Sequence, residues 1–332
     1  VLKLRAQEPQ ALLAKADLCI NQFGQPLLAK ALVKPLLNDA AHAPEAELCT
    51  LMASLYDRDE SAQVLTERIQ AFARAHLQLD DRVWPERSPR AGVAEGRVRP
   101  RVGLISPLFC ASPVYFLTIH GFRHVAKGSE LVIFQRGHQR DWATQAFEDL
   151  ATEWVPVQEL PADQLARRLF DADLDVLYDL GGWMDAVALK ALSTKPARAL
   201  YKWVGGQSVT TGLGAFDGWI GDPWQSPLEL QSLYTEPLVN IPEGYATYTP
   251  PSYLPKPTQR ARRRREEAVV FANPAKLSRR FLADLRARRE PVVFIHHQFR
   301  WAGVKSHVSA QLGDVPHEFV IPASHQEALS VL

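Results

Sequence analysis

The pattern of apolar residues changes character near residue 100, and this change constrains the fold more than any other feature of the chain. Before it, apolar side chains recur every three or four positions between breaks of Pro or Gly, which predicts short antiparallel helices of the length used in helical repeats. After it, short apolar runs alternate with amphipathic stretches of helical period. Such alternation is typical of parallel sheets whose faces are covered by helices. We therefore expect a helical domain followed by α/β structure.

The strands expected after residue 100 are short apolar runs. They are 101–106, 130–135, 175–180, 199–204, 218–220, 237–241, 268–271, 291–296 and 319–321. Helices are expected over 141–151, 163–172 and 185–193. Segment 104–122 comes nearest to a membrane helix, but Pro107 and Pro113 interrupt it, so we expect a strand that runs into a loop.

Two segments rich in proline and charge divide the chain into domains. Residues 81–100 have no periodicity and are expected to link a helical, repeat-like domain (1–80) to a first α/β lobe (101–250). Residues 251–267 join several prolines to an arginine-rich run over 260–265, which we interpret as a solvated crossing, with an acidic partner as the alternative. The remaining residues, 268–332, are too few for a complete doubly wound domain. We therefore expect a fragment with a partial second lobe.

The charges of the chain nearly cancel, which limits its partners and location. Lys and Arg number 38 against 37 Asp and Glu, a net charge of +1. This balance argues against nucleic-acid binding driven by overall charge. Three cysteines lie far apart with no metal-binding spacing, which fits a reducing compartment. We expect a cytoplasmic protein with no membrane span and no nucleic-acid partner.

A loop rich in glycine and hydroxyl groups follows the strand expected over 199–204. Glycine lets backbone N–H groups approach a ligand closely, and hydroxyls can bond sugar or phosphate oxygens. An ordinary loop between a strand and a helix is the alternative interpretation. The candidate binding residues of this loop are Gly205, Gly206, Thr210, Thr211 and Gly212.

A second candidate loop follows the strand expected over 268–271 and carries Lys276. Ser278 can cap the next helix, whose N-terminus favours an anion, and Lys276 adds a positive charge suited to a diphosphate. A solvated loop lysine is the alternative. Arg300 lies between Phe299 and Trp301 in the next strand's loop and is a candidate phosphate or acceptor contact, with aromatic packing as the alternative.

Two patterns that might bind a metal are weak. The alternating aspartates over 171–175 fall at a junction between a helix and a strand, and we interpret them as a solvated charge cluster. Neighbouring His296 and His297 would point to opposite faces of a strand, so a shared metal is not expected. The residues therefore predict no metal site.

Several short motifs occur in the order of a known family. They are Leu55-Tyr56-Asp57, Ala75-His76, the strand 101–106, Tyr178-Asp179-Leu180-Gly181-Gly182-Trp183, Lys195-Pro196-Ala197, Thr210-Thr211-Gly212-Leu213, Asp217, Asp222, Glu236, Leu238, Ile241-Pro242 and Lys276-Leu277. With these motifs, residues 48 to about 330 resemble the catalytic region of the O-GlcNAc transferase/SPINDLY family of glycosyltransferases. The resemblance implies a bacterial member with an α/β fold of the GT-B type, in which two Rossmann-like lobes follow helical repeats.

The resemblance also implies an activity and its partners. Members of the family move GlcNAc or glucose from a UDP-sugar to Ser, Thr or Asn of an acceptor protein, with inversion and without a metal or other cofactor. Lys276 matches the lysine that binds the diphosphate, and Thr210, Thr211 and Gly212 match the loop near the donor sugar. We expect the acceptor protein to dock on the helical domain, through which the chain would also form a homo-oligomer.

One position departs from the family's pattern. In Phe109-Cys110-Ala111-Ser112-Pro113, Ser112 stands where the family has a histidine proposed as a base or acceptor-site residue. A serine does not take up a proton at neutral pH without a base of its own. We keep Ser112 as a catalytic candidate beside Lys276. The alternative function is a degenerate relative that acts as a protein-interaction scaffold.

Overall fold

The computed structural model describes residues 8–56, 60–79, 84–85, 87–93, 96, 98–254 and 267–331. The arginine-rich run over 260–265 and part of the expected linker therefore lie outside the described residues. The described elements, in chain order, are α1 (Pro9–Asn21), α2 (Pro26–Val33), α3 (Ala43–Tyr56), α4 (Ala62–His76), β1 (Arg101–Ser106), α5 (Pro113–Gly128), β2 (Glu130–Gln135), α6 (Trp142–Glu148), β3 (Glu153–Pro156), α7 (Ala162–Asp171), β4 (Val176–Asp179), α8 (Ala186–Leu192), β5 (Ala199–Trp203), β6 (Gly218–Gly221), β7 (Leu238–Asn240), β8 (Ala268–Val270), α9 (Arg279–Arg288), β9 (Val292–Ile295), α10 (Ala302–Leu312), β10 (His317–Val320) and α11 (His325–Val331).

The expected α/β fold is confirmed, and every expected strand forms within two residues of its expected bounds. Strand β3 was not expected, because its sequence Glu-Trp-Val-Pro is not an apolar run. It is an edge strand that pairs only with β2, the position where a proline is tolerated. The loop expected up to residue 122 is wrong, because Pro113 begins helix α5. Proline is favoured in the first turn of a helix, where its missing N–H costs nothing.

The chain divides into two compact units, and the division departs from the expected domain bounds. One unit is Ala62–Pro250, and the other combines Val1–Ser61 with Pro251–Leu332. Helix α4 thus belongs with the first lobe, although its residues were assigned to the helical domain. Its buried residues Ile69 and Ala73 lie against Gly212. They leave no room for a side chain at position 212.

The Ala62–Pro250 unit is built on a seven-stranded parallel sheet in the order β3-β2-β1-β4-β5-β6-β7. The chain runs outward from β1 to β3 and then crosses to β4 on the other side of β1. The strand order therefore reverses between β1 and β4, and in open parallel sheets ligands bind beyond the carboxyl ends of the strands at such a point. Helices α5 and α6 cover one face of the sheet with an apolar core that includes Phe109, Ile119, Phe122 and Phe147.

The other unit joins three helices to a three-stranded parallel sheet in the order β10-β9-β8. Helices α1, α2 and α3 share a core of small and aliphatic residues, and α9 and α10 pack on the sheet around Phe294 and Phe299. Phe23, in the turn between α1 and α2, packs against both cores. In the part of the chain that the structure describes, no helix combines the length and apolarity needed to cross a membrane.

Candidate active site

Two tight glycine turns meet at the carboxyl ends of β4 and β5. A Cβ atom on Gly205 would lie 2.0 Å from the carbonyl oxygen of Leu180, and one on Gly206 would lie 2.6 Å from that of Gly181. Both glycines have positive φ, 51° and 62°. The sequence therefore needs glycine at these positions to bring the two loops into contact. Val204 also has a positive φ of 47°, which is strained for a β-branched residue.

A buried ion pair lies beneath these turns. The Nζ atom of Lys202 donates to the carbonyl oxygens of Val204 and Gly205, both at 2.5 Å, and lies 3.9 Å from a carboxylate oxygen of Asp179. Asp179 in turn accepts hydrogen bonds from the backbone N–H groups of Gly181 and Gly182. The pair therefore binds both turns and holds the strained Val204 in place.

Burial shifts the protonation equilibria of both members of the pair. Lys202 and Asp179 are 0% and 1% exposed. Desolvation lowers the pKa of Lys202 to about 8, although the carboxylates of Asp179 and Glu236 act in the opposite direction. Desolvation raises the pKa of Asp179, against the attraction of Lys202. Strongly perturbed groups of this kind cluster at functional sites.

The threonines predicted to face the donor sugar are held by a buried glutamate. The hydroxyl of Thr210 donates to Glu236 at 2.7 Å, and Thr211 donates both its hydroxyl and its backbone N–H to the same carboxylate. All three residues are at most 1% exposed. These hydroxyls therefore shape the loop, while Gly212, with a positive φ of 74°, turns it over α4. Their contact with a sugar stays a prediction.

Ser112 lies in the loop after β1, beside the point where the strand order reverses. It is 8% exposed, and its hydroxyl donates to the carbonyl oxygen of Leu108 at 2.9 Å. The neighbouring Ala111 N–H is held by the carboxylate of Asp141, which also caps α6. Burial raises the pKa of Cys110, so this thiol is a poor nucleophile. Ser112 therefore has no base beside it among the described contacts, and its catalytic role stays a prediction.

Lys276 lies in the other unit, at the end of a short 3₁₀ turn (Pro274–Lys276) that follows β8. Its side chain is exposed and forms no ion pair or hydrogen bond with another described residue. The next residues enter α9, where the hydroxyl of Ser278 accepts the N–H of Phe281 and caps the helix, as predicted. An exposed ammonium and a capped helix N-terminus therefore occur two residues apart, which suits an anion.

The remaining predicted residues lie after β9. Arg300 is exposed, with its guanidinium carbon 5.0 Å from the ring centre of Trp301, so packing on the aromatic ring is observed. The expectation that His296 and His297 point to opposite faces of a strand is wrong. Strand β9 ends at Ile295, and the two rings lie 4.3 Å apart in the following turn. Burial lowers the pKa of His296 to about 4.

No cluster of three or more His, Cys, Asp or Glu side chains with metal-binding geometry occurs in the described ranges. The aspartates considered as a metal motif are engaged by arginines. Asp173 pairs with Arg87 and Arg198, and Asp175 pairs with Arg90 and Arg198. These carboxylates therefore support the amino-terminal edge of the sheet.

Lys202, Asp179 and Glu236 have no role that is predicted from the sequence alone. A signal for Lys202 was present, because a lysine inside an otherwise apolar expected strand needs a buried partner. Glu236 and Asp179 appeared only as parts of motifs. Their roles depend on contacts between residues that are 23 to 26 positions apart, which spacing alone does not reveal.

Comparison with known proteins identifies relatives for part of the chain and for its fold. No family model matches the chain. It is 26% identical over 154 residues to a probable UDP-N-acetylglucosamine–peptide N-acetylglucosaminyltransferase SPINDLY of Arabidopsis thaliana, covering 45% of this chain and 17% of that protein. A protein of the same name from Oryza sativa subsp. japonica is 25% identical over 154 residues, covering 45% and 16%. The chain thus spans about a sixth of the length of these curated relatives.

Among solved structures, a mutant of the O-GlcNAc transferase of Thermobaculum terrenum has the same fold. It superimposes with a TM-score of 0.84 at 19% identity, over 99% of this chain and 64% of that one. The predicted α/β fold of two Rossmann-like sheets with preceding helices is confirmed by this match. The predicted resemblance to the O-GlcNAc transferase/SPINDLY family is confirmed as well.

Proposed function

We propose that this chain, which is similar to O-GlcNAc transferase and SPINDLY proteins, is part of a protein glycosyltransferase. In this proposal it moves GlcNAc or glucose from a UDP-sugar to a Ser, Thr or Asn side chain of an acceptor protein, with inversion and without a metal. The observation that carries the proposal is the agreement of fold over 99% of the chain with an O-GlcNAc transferase. A cytoplasmic location and a homo-oligomer formed through the helical segment stay predictions.

The leaving group of the reaction determines which chemical groups the unit that contains Lys276 must provide. When the bond between the sugar and UDP breaks, negative charge develops on the diphosphate, and fixed positive groups there lower the barrier. Lys276 supports this role because its ammonium has no competing partner among the described residues. The capped N-terminus of α9 adds backbone N–H groups and a partial positive charge. Arg300 is a second candidate for phosphate contact.

The acceptor side is proposed for the loops beyond β1, β4 and β5. The strained turn at Val204–Gly206 and the loop that carries Ser112 lie at the carboxyl edge of the sheet, where parallel sheets bind ligands. Backbone groups of the glycine turns can approach a substrate closely. Ser112 would orient the acceptor, since its hydroxyl is too weak a base to remove the acceptor's proton.

Two observations favour the alternative, an interaction scaffold without transferase activity. The hydroxyl of Ser112 donates a hydrogen bond to the carbonyl oxygen of Leu108, and no histidine stands at the position where the family has one. This alternative predicts the same fold and the same acceptor docking, but no sugar transfer.

Intact-mass spectrometry of proteins co-expressed with the full chain distinguishes the two functions. The transferase predicts acceptors that gain the mass of a hexose or an N-acetylhexosamine, and it predicts that Lys276→Ala abolishes the gain. Lys127→Ala, a change of an exposed lysine on α5, is the matched control and should leave the gain intact. If the co-expressed proteins have the same masses with and without this chain, the transferase proposal is contradicted and the scaffold alternative remains.

A further inference from the structure

The turn between α1 and α2 lies directly behind the loop that carries Lys276. Gly24 has a positive φ of 63°, and a Cβ atom on it would lie 2.5 Å from the carbonyl oxygen of Pro274. Pro274 and Ala275 are buried, whereas Lys276 is exposed. The backbone of the lysine's turn is therefore packed against glycine from one side, and its side chain is presented to solvent on the other.

Hydrogen bonds fix the same contact. The side-chain amide of Asn273 donates to the carbonyl oxygen of Asn21 at 3.4 Å, and its Oδ1 atom caps the lysine's turn by accepting the N–H of Ala275 at 2.9 Å. The backbone N–H of Lys276 donates to the carbonyl oxygen of Asn273 at 2.9 Å. Asn273 thus connects the end of α1 to the backbone that orients Lys276.

The loop after β9 is bound to the same turn. Gln298, which is 3% exposed, donates from Nε2 to Oε1 of Gln22 at 2.6 Å and to the carbonyl oxygen of Asn21 at 3.4 Å. The aromatic ring of Phe23 packs against both the helical core and the core of the sheet. The loops that follow β8 and β9 are therefore both attached to one turn of the helical segment.

From these contacts we infer that the α1–α2 turn positions Lys276 for diphosphate binding, so that the first helices are a working part of the donor side. Residues 21–24 act through the backbone of residues 273–276 and are positioning residues. The inference rests on the proposed role of Lys276. It differs from the expected role of the helical segment in docking the acceptor protein.

Gly24→Ala tests the inference, because its new methyl group must displace the carbonyl of Pro274. Gly96→Ala is the matched control, since Gly96 has a similar φ of 67° but no atom of the described residues within 4 Å of the new Cβ atom. We expect hydrogen–deuterium exchange of the peptide covering 273–278 to accelerate in Gly24→Ala and to stay at the wild-type rate in Gly96→Ala. In titrations with UDP as the probe, Gly24→Ala should raise the Kd about tenfold, as expected for the loss of one good contact.

A second pair of variants separates positioning from loss of folding. Gln22→Leu removes the acceptor for Gln298, whereas Gln22→Glu keeps it, so the loss of UDP affinity should appear in the first variant and be rescued in the second. Wild-type exchange and UDP affinity in both Gly24→Ala and Gln22→Leu would overturn the inference. If wild-type protein binds no UDP, the proposed function fails, and exchange in the 273–278 peptide still decides whether the turn positions this loop.

Discussion

The variant Lys202→Met tests how the glycine turns are held together. The substitution keeps an unbranched side chain of similar length but removes the ammonium that donates to the carbonyls of Val204 and Gly205. Asp179 is then left 1% exposed without its cation. Breaking a buried pair from one side typically costs about 3–5 kcal/mol. We expect the free energy of unfolding of the Ala62–Pro250 unit to fall by that amount.

The double variant Lys202→Met/Asp179→Asn should be more stable than Lys202→Met alone. Asparagine carries no charge, and its side-chain oxygen can still accept an N–H from Gly181 or Gly182. The unpaired buried charge is thereby removed, and with it much of the penalty. A double variant that is as unstable as the single one would show that packing around Lys202, and not the ion pair, stabilises the turns.

Because the pKa of Lys202 is lowered, the stability of the folded chain should depend on pH. The pKa is about 8 in the folded chain, below the usual 10.5, because burial disfavours the ammonium. Between these values the unfolded chain binds more protons than the folded one, so stability should rise as the pH increases from about 8 to about 10.5. This rise reflects the titration of Lys202. It should be absent in Lys202→Met.

Urea unfolding, followed by tryptophan fluorescence at pH 7.5 and pH 9.5, measures both the loss of stability in Lys202→Met and the dependence of stability on pH. Trp183, Trp203 and Trp219 lie in this unit and report on its unfolding. Lys127→Met, an exposed lysine on α5, is the control and should change stability by less than about 0.5 kcal/mol. A loss below about 1 kcal/mol for Lys202→Met, with the wild-type dependence on pH, would refute the structural role assigned to the pair.

Three further outcomes follow from the site. Gly205→Ala should lower the free energy of unfolding by about 1–3 kcal/mol in urea titrations, since its methyl group would meet the carbonyl of Leu180, whereas Gly214→Ala has open space and should be neutral. Glu236→Gln should lower Tm, with a loss of about 2 kcal/mol, because a buried carboxylate that accepts several hydrogen bonds becomes an amide; an unchanged Tm would argue against this role. The half-buried Cys49, whose pKa desolvation raises to about 11, should react slowly with iodoacetamide at pH 7.5 in the folded chain and quickly in urea; equal rates would contradict the raised pKa.

The sequence predicted the strands well because each buried parallel strand is a short apolar run between turn residues. It failed at α5 and β3 for specific reasons. Pro113 was interpreted as a helix breaker although it occupies the first turn, and β3 lacks the apolar pattern because it is an edge strand. The error at α5 concerns proline, whose effect depends on its position within an element.

The candidate site was predictable where a residue type is required by local backbone geometry. Gly205, Gly206 and Gly212 all adopt positive φ, as a glycine-rich loop suggests. The partners of Thr210 and Thr211 were not predictable, because Glu236 is brought to them by the sheet and not by the sequence spacing. The association of α1–α3 with the C-terminal sheet was not predictable from the sequence either, because it joins segments separated by some 200 residues.

Titration calorimetry of UDP into the full chain, in buffer with EDTA, tests most directly whether the chain is a UDP-sugar transferase that uses Lys276. We predict saturable binding at one site, unchanged affinity with or without EDTA, and a Kd at least tenfold higher in Lys276→Ala, since a charge-assisted contact to phosphate contributes about 1.5–3 kcal/mol. Lys127→Ala should bind as the wild type does. The absence of saturable UDP binding, or equal affinity in Lys276→Ala, would contradict the proposal.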